Sequence, residues 1–167
     1  MMYKNLKKNK GYSSIELIFY IALFSAITLV VINSMIVMVK AFQATTVNTE
    51  LIQGSSVMER ISREIRSSYG ISSISATDLV LNTKDIVTDN NKTVQFRQNG
   101  NNIELFEDGV STGYLNIPNL IVSGLSFTQI TTTEGLGIKI FFTVASNRYG
   151  STRTEDFYNT VVLRGSY

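Results

Sequence analysis

A run of 23 residues, Leu17 to Val39, carries no formal charge and stands directly behind a lysine-rich head. A helix rises about 1.5 Å per residue, so the run reaches roughly 34 Å, enough to cross a hydrocarbon layer of about 30 Å. Fourteen of its residues are Leu, Ile, Val or Phe. At about −0.3 to −0.6 kcal/mol each, they supply roughly −4 to −8 kcal/mol toward insertion. That margin carries Ser25, Thr28, Asn33 and Ser34, whose hydroxyls and amide can find partners in the helix or on a neighbouring one. The run reads as a membrane span.

Its flanks orient it. Lys4, Lys7, Lys8 and Lys10 precede the span without a single acid, and only Lys40 follows closely. The positive-inside rule then predicts a cytoplasmic N-terminus, with the remainder of the chain on the far side of the membrane. A secretory signal peptide shares this outline, but its apolar region runs about 7 to 15 residues and ends at a small-x-small cleavage site. Here the apolar character continues through Ile36, Val37 and Val39 into Lys40, Ala41 and Phe42.

An ordinary one-span anchor explains everything except Gly11 and Glu16, which bracket Tyr12-Ser13-Ser14-Ile15. With the basic head, the glycine, the glutamate at the fifth place after it and the apolar run, the chain resembles the type IV pilin and pseudopilin family. The resemblance implies cleavage between Gly11 and Tyr12 by a prepilin peptidase on the cytoplasmic side, and N-methylation of the new amine on Tyr12. Ser14 stands where an aliphatic residue is usual in that family, and Tyr12 replaces the commoner Phe.

A carboxylate entering a bilayer is expensive, and it marks function unless it has a partner. Cleavage after Gly11 creates one, because the Tyr12 ammonium then lies four residues from Glu16, about one helical turn. Stacking subunits would bring one subunit's amine toward the next one's Glu16. At about 4 Å and an effective dielectric near 20, such a pair attracts by roughly 4 kcal/mol, with desolvation opposing it. Its value is register, and Glu16 is the candidate assembly residue.

The 167 residues leave about 125 beyond the span, enough for one extracytoplasmic domain. Removing the four leader lysines from 15 basic residues leaves 11 against 13 acids, so the formal +2 becomes −2. The basicity belongs to the leader, which weakens an argument for nucleic-acid binding; Lys139, Arg148, Arg153 and Arg164 are scattered among acids. No cysteine is present, so packing must hold the domain without disulfides. Histidine is also absent, which excludes His-based triads and His metal sites.

Beyond the span, Val47, Leu51, Gly54, Met58, Ile61 and Ile65 recur at helical spacing and form one apolar stripe. Glu59 with Arg63 and Arg60 with Glu64 are i,i+4 pairs on the polar side. Helix is thus expected from Ser13 to about Ser68, with curvature or a local break at Gly54-Ser55-Ser56 and a stop at Tyr69-Gly70, where Gly70 takes the left-handed conformation. From Asp78 the period falls to two: Val94 and Phe96, Ile103 and Leu105, Leu125 and Phe127, Ile138 to Val144, and Phe157 to Leu163 read as strands. Turns are expected at Asn99-Gly100, Asp108-Gly109 and Glu134-Gly135.

Short links favour antiparallel pairing, so the predicted class is α+β: a long N-terminal helix, membrane-spanning in its first half, packed on an antiparallel sheet. The expected divisions are a leader over 1–11, a membrane and assembly helix over 12–39, the soluble half of the helix over 40–69 and a β domain over 70–167. Gly-x-Ser-x-Gly and Walker-type loops are missing, and Gly135-Leu136-Gly137 is a lone Gly-x-Gly, so no catalysis and no cofactor are expected. Asp85, Asp89, Asn90 and Asn91 offer oxygens to calcium, but a polar loop explains them equally and the EF-hand pattern is absent, so no metal is expected.

The run Glu59 to Arg66 and the tail Thr160 to Arg164 are similar to those of J-type minor pseudopilins of type II secretion and the related W-type minor pilins. That likeness implies a tip subunit that helps initiate or cap a filament. Its implied partners are other pilin-like subunits, the peptidase, an inner-membrane assembly platform and the cytoplasmic membrane, with no nucleic acid. A minor pilin for DNA uptake or adhesion, and a solitary single-span protein, are the alternatives.

Overall fold

The structure is a computed structural model, and it describes residues 13–85, 88–132, 135–148 and 151–163. Among the described residues one helix, α1, spans Ser14–Ser67 and is followed by eight strands. These are β1 (Gly70–Ile74), β2 (Asp78–Lys84), β3 (Asn91–Asn99), β4 (Asn102–Glu107), β5 (Val110–Tyr114), β6 (Leu120–Thr132), β7 (Gly135–Arg148) and β8 (Ser151–Val162). The α+β order expected from the change of period is present. The chain divides into two compact units, Met1–Phe42 and Gln43–Tyr167. Residues of α1 fall in both.

In the second unit all strand pairing is antiparallel, but it is split into two sheets: a five-stranded meander, β1 to β5, and a three-stranded one, β6 to β8. Strands β1, β2 and β5 lie outside those predicted. Gly-Ile-Ser-Ser-Ile of β1 has no two-residue alternation, and β5 is exposed at every position, so neither carries a burial signal in its residues. In β2, Leu79, Leu81 and Thr83 do alternate, and all three are buried.

The turns follow residue chemistry. Glu107 pairs with Val110 across Asp108-Gly109, and both central residues take positive φ (49° and 77°), the conformation a type I′ hairpin needs. The β3–β4 loop is Gly100-Asn101, one residue on from the predicted pair, because Asn99 itself pairs with Asn102. Glu134 lies outside the described residues. In β6 the register slips between Ser123 and Ser126 opposite β7, with Gly124 at φ 64°. This bulge shifts the phase by one residue, so that Leu120 and Val122 before it and Leu125 and Phe127 after it all face inward.

One core joins the helix and both sheets. Val47, Leu51, Met58, Ile61 and Ile65 of the predicted stripe are buried with Leu79, Phe96, Ile103, Val122, Ile140, Phe142 and Val161. Ile61 and Ile65 are fully covered, which for each side chain is worth about 1.5–3 kcal/mol. The sheets are tied by Asn116, whose Oδ1 accepts from Ile103 N (3.0 Å) while its Nδ2 donates to Leu120 O (2.7 Å) and Asn102 Oδ1 (2.9 Å). Val122 N donates to Asn101 O at 2.8 Å and Phe127 N to Ala76 O at 2.9 Å, so backbone bonds reinforce the same seam.

Two helix expectations are corrected. Of the curvature or local break expected at Gly54-Ser55-Ser56, the break does not occur, because all three residues lie within α1. Gly54 is buried under the ring of Phe157, so the missing side chain serves a close approach and packing holds the helical turn. Nor is Gly70 the left-handed stop: it opens β1, and the helix is closed by serines. Ser67 Oγ donates to Glu64 O (3.0 Å), Ser68 Oγ to Ile65 O (2.7 Å), and Ser68 N to Glu64 O (3.0 Å), satisfying carbonyls that a helix end leaves open.

Candidate functional site

The first turn of α1 places Glu16. The carbonyl of Ser13 accepts from Glu16 N (2.9 Å) and Leu17 N (3.2 Å), which starts the helix immediately ahead of the carboxylate. A carboxylate in the first turn also complements the positive end of the helix dipole. Tyr20, one turn on, donates its hydroxyl to Glu16 Oε1 at 3.4 Å. Sequence reasoning did not pick out Tyr20, although an i,i+4 spacing was the signal that would have found it. Gly11 and Tyr12, the predicted cleavage and methylation residues, lie outside the described residues.

The expected span, Leu17 to Val39, is wholly helical, and each of its large apolar side chains is at least 48% exposed. Its length and hydropathy suit a membrane crossing. The exposure gives the helix a reason to be there, since apolar surface on this scale is costly in water. Within the span, Ser25 donates to Ile21 O, Thr28 to Phe24 O and Ser34 to Val30 O, each at 2.8 Å. Those three O–H donors are thereby satisfied one turn back along their own helix, which lowers their cost on insertion.

In the second unit, the polar groups at the packed helix face were not legible in the stripe. Glu50 is buried. Its carboxylate accepts from Ser146 Oγ at 2.5 Å and from Arg148 Nε at 2.8 Å, both on β7. Arg153 Nη1 donates to Asn48 Oδ1 (2.6 Å) and Asn159 Nδ2 to Ser62 Oγ (2.9 Å), so β8 is latched to the helix at two further points. Arg148 and Arg153, weighed as nucleic-acid contacts, each bond to a side chain of the helix. Lys139 stands apart on the opposite face of β7, and Arg164 lies outside the described residues. The pairs Arg60–Glu64 (3.1 Å) and Arg63–Glu59 (3.5 Å) form as spaced.

The carboxylates considered for calcium have protein partners. Asp85 Oδ1 accepts from Thr88 N at 2.8 Å, Asp89 pairs with Lys84 at 3.2 Å, and Asn91 begins β3. Among the described residues no three His, Cys, Asp or Glu side chains converge on a point that could hold a metal ion. No family model, curated protein or solved structure matches the chain. The arrangement itself is a lone carboxylate heading an exposed apolar helix, whose later turns anchor a β domain.

Proposed function

We propose that this chain is a non-catalytic, minor pilin-like subunit. It enters the cytoplasmic membrane with its N-terminus inside, is cut by a prepilin peptidase between Gly11 and Tyr12, and is methylated on Tyr12. It then helps to initiate or cap a pilus or pseudopilus of a type IV pilus or type II secretion system, on the periplasmic side or the cell surface. The observation that carries this reading is the position of Glu16: five residues past Gly11, in the first turn of α1, immediately ahead of 23 uncharged residues.

The physical logic is an exchange of environments. Leaving the bilayer forfeits roughly 4 to 8 kcal/mol of insertion energy. The helices of neighbouring subunits must restore much of it by covering the same apolar surface. Glu16 sets the axial position in that exchange by receiving the amine of an adjacent subunit. Other pilin-like subunits and a membrane assembly platform are therefore the partners.

Mass spectrometry of the mature N-terminus tests the reading. The expected species begins at Tyr12 and carries one added methyl group on its amine. An intact Met1–Gly11 segment on chain recovered from a host that holds the peptidase would refute it.

A further inference from the structure

The geometry points to pairing of the membrane-resident chain with a second copy of itself, through the helix face that carries Asn33. The inference rests on the spanning reading of Leu17 to Val39 and is independent of filament assembly. Besides Tyr20, whose hydroxyl bonds to Glu16, four polar side chains interrupt that run, and three of them, Ser25, Thr28 and Ser34, bond to carbonyls of their own helix. The fourth does not. Asn33 has two N–H donors and a carbonyl acceptor, and among the described residues none of them meets a partner.

Depth makes this matter. Asn33 is six residues inside Val39, about 9 Å from the end of the run at 1.5 Å per residue, where lipid offers no hydrogen bond. An acyl chain against the amide leaves both donors and the acceptor unmet. A second copy of the same helix meets the acceptor and one donor of each amide at equal depth, because a carboxamide is self-complementary: each Asn33 donates to the other's oxygen and accepts in return. A two-fold axis through the pair gives each chain one donated and one accepted bond from a single contact.

The surrounding surface has the shape for it. Val30, Asn33, Ser34, Val37 and Met38 line a shallow depression of about 480 Å³. Their spacing of three, four, seven and eight residues from Val30 puts them on one side of the helix. The back-bonded Ser34 keeps the floor low, and a short floor lets a second backbone approach closely, as membrane helix pairs require. Val30 and Val37 then pack beside the amide pair.

The absence of cysteine makes the test direct. Single substitutions Val30→Cys and Val37→Cys probe this face, and Ile32→Cys and Val39→Cys probe the other side, each in the full chain in isolated membranes treated with copper phenanthroline as oxidant. Disulfide-linked dimer is expected from the first two and not from the second two. Adding Asn33→Leu to the Val37→Cys chain should lower the cross-linked fraction about tenfold, and Asn33→Gln should restore it. Release of the chain by alkaline carbonate would sink the span and the pairing together. A retained chain that cross-links equally from both sides, or is unmoved by Asn33→Leu, would overturn the pairing alone.

Discussion

Phe157 lies with its ring against Gly54, so closely that a Cβ on Gly54 would stand 2.5 Å from Phe157 Cε2 and 2.8 Å from Cζ. The ring has little freedom to withdraw, because it stacks on Phe142 at 5.5 Å between centroids, and Phe142 is fully buried. Two effects of opposite sign meet at this site. Replacing Gly54 by Ala gains about 1 kcal/mol of helix propensity, while forcing a methyl group into a packed contact costs about 1–3 kcal/mol. The clash should win, and Gly54→Ala is expected to destabilise the domain by about 1 kcal/mol in chemical denaturation of the detergent-solubilised chain. Phe157→Leu should relieve the defect, so the double variant is more stable than the sum of the single effects. A Gly54→Ala chain more stable than the parent would show that the ring is not held.

The buried carboxylate of Glu50 gives the second expectation. Removing Arg148 leaves the charge in place with one hydroxyl donor, whereas Glu50→Gln removes the charge and leaves a half-exposed guanidinium that water can solvate. Arg148→Ala should therefore cost more than Glu50→Gln, with about 1–2 kcal/mol for the first and less than 1 kcal/mol for the second. Thermal melts of the two variants decide the order, and a larger loss for Glu50→Gln would contradict it.

These two sites mark the limit of what periodicity reveals. The stripe Val47 to Ile65 was legible because burial repeats with the helical turn, and each of its members is buried. Glu50 was not, since a charged residue beside the stripe reads as solvated until a partner far along the chain is known; Ser146 is 96 residues away. Gly54 was assigned the wrong role for a related reason, because propensity sees the missing side chain but not the ring that occupies its place. Among strands with one buried face, β3, β4, β6, β7 and β8 announced themselves, β2 was passed over although Leu79, Leu81 and Thr83 alternate, and β5, exposed throughout, offered no alternation. Glu16 was visible from spacing alone, and the i,i+4 spacing that joins it to Tyr20 was there to be read as well.

Asn116 holds the seam between the sheets through one acceptor and one donor group. Asn116→Ala strands the Ile103 N–H and removes a partner from Leu120 O, at about 1–3 kcal/mol for the unsatisfied donor alone. Asn116→Asp keeps the acceptor for Ile103 N and loses the donor, so its amide exchange at Ile103 should stay slower than in the alanine variant. Equal exchange at Ile103 in both would show that the seam depends on the backbone bonds instead.

Glu104 offers a pH-linked test on the outer sheet. Ser111 Oγ donates to it at 2.6 Å and Asn99 Nδ2 at 3.0 Å, and these bonds hold its carboxyl below the ordinary value. A depressed folded value means that the stabilisation is present above the unfolded pKa and is lost as pH falls through the folded one. Ser111→Ala removes the larger cause, so the Glu104 carboxyl resonance should titrate at higher pH in that variant. An unchanged midpoint would mean that the hydroxyl does not set the charge.

The Tyr20 hydroxyl and the amine implied by cleavage make different demands on Glu16, which separates local helix chemistry from assembly. The Tyr20–Glu16 bond is long and exposed, and i,i+4 side-chain pairs contribute only about 0.2–0.5 kcal/mol to a helix. Tyr20→Phe should therefore leave insertion, processing and incorporation near parental levels. Glu16→Leu should insert as well or better, because it removes a charge from the edge of the bilayer, yet fail to enter filaments for want of a register partner. Glu16→Gln keeps the shape and loses the charge; if attraction to an ammonium is what counts, it should resemble Leu and not the parent. Quantifying the variants in sheared filament fractions against membrane fractions makes the comparison, and normal incorporation of Glu16→Leu would remove Glu16 from the assembly mechanism.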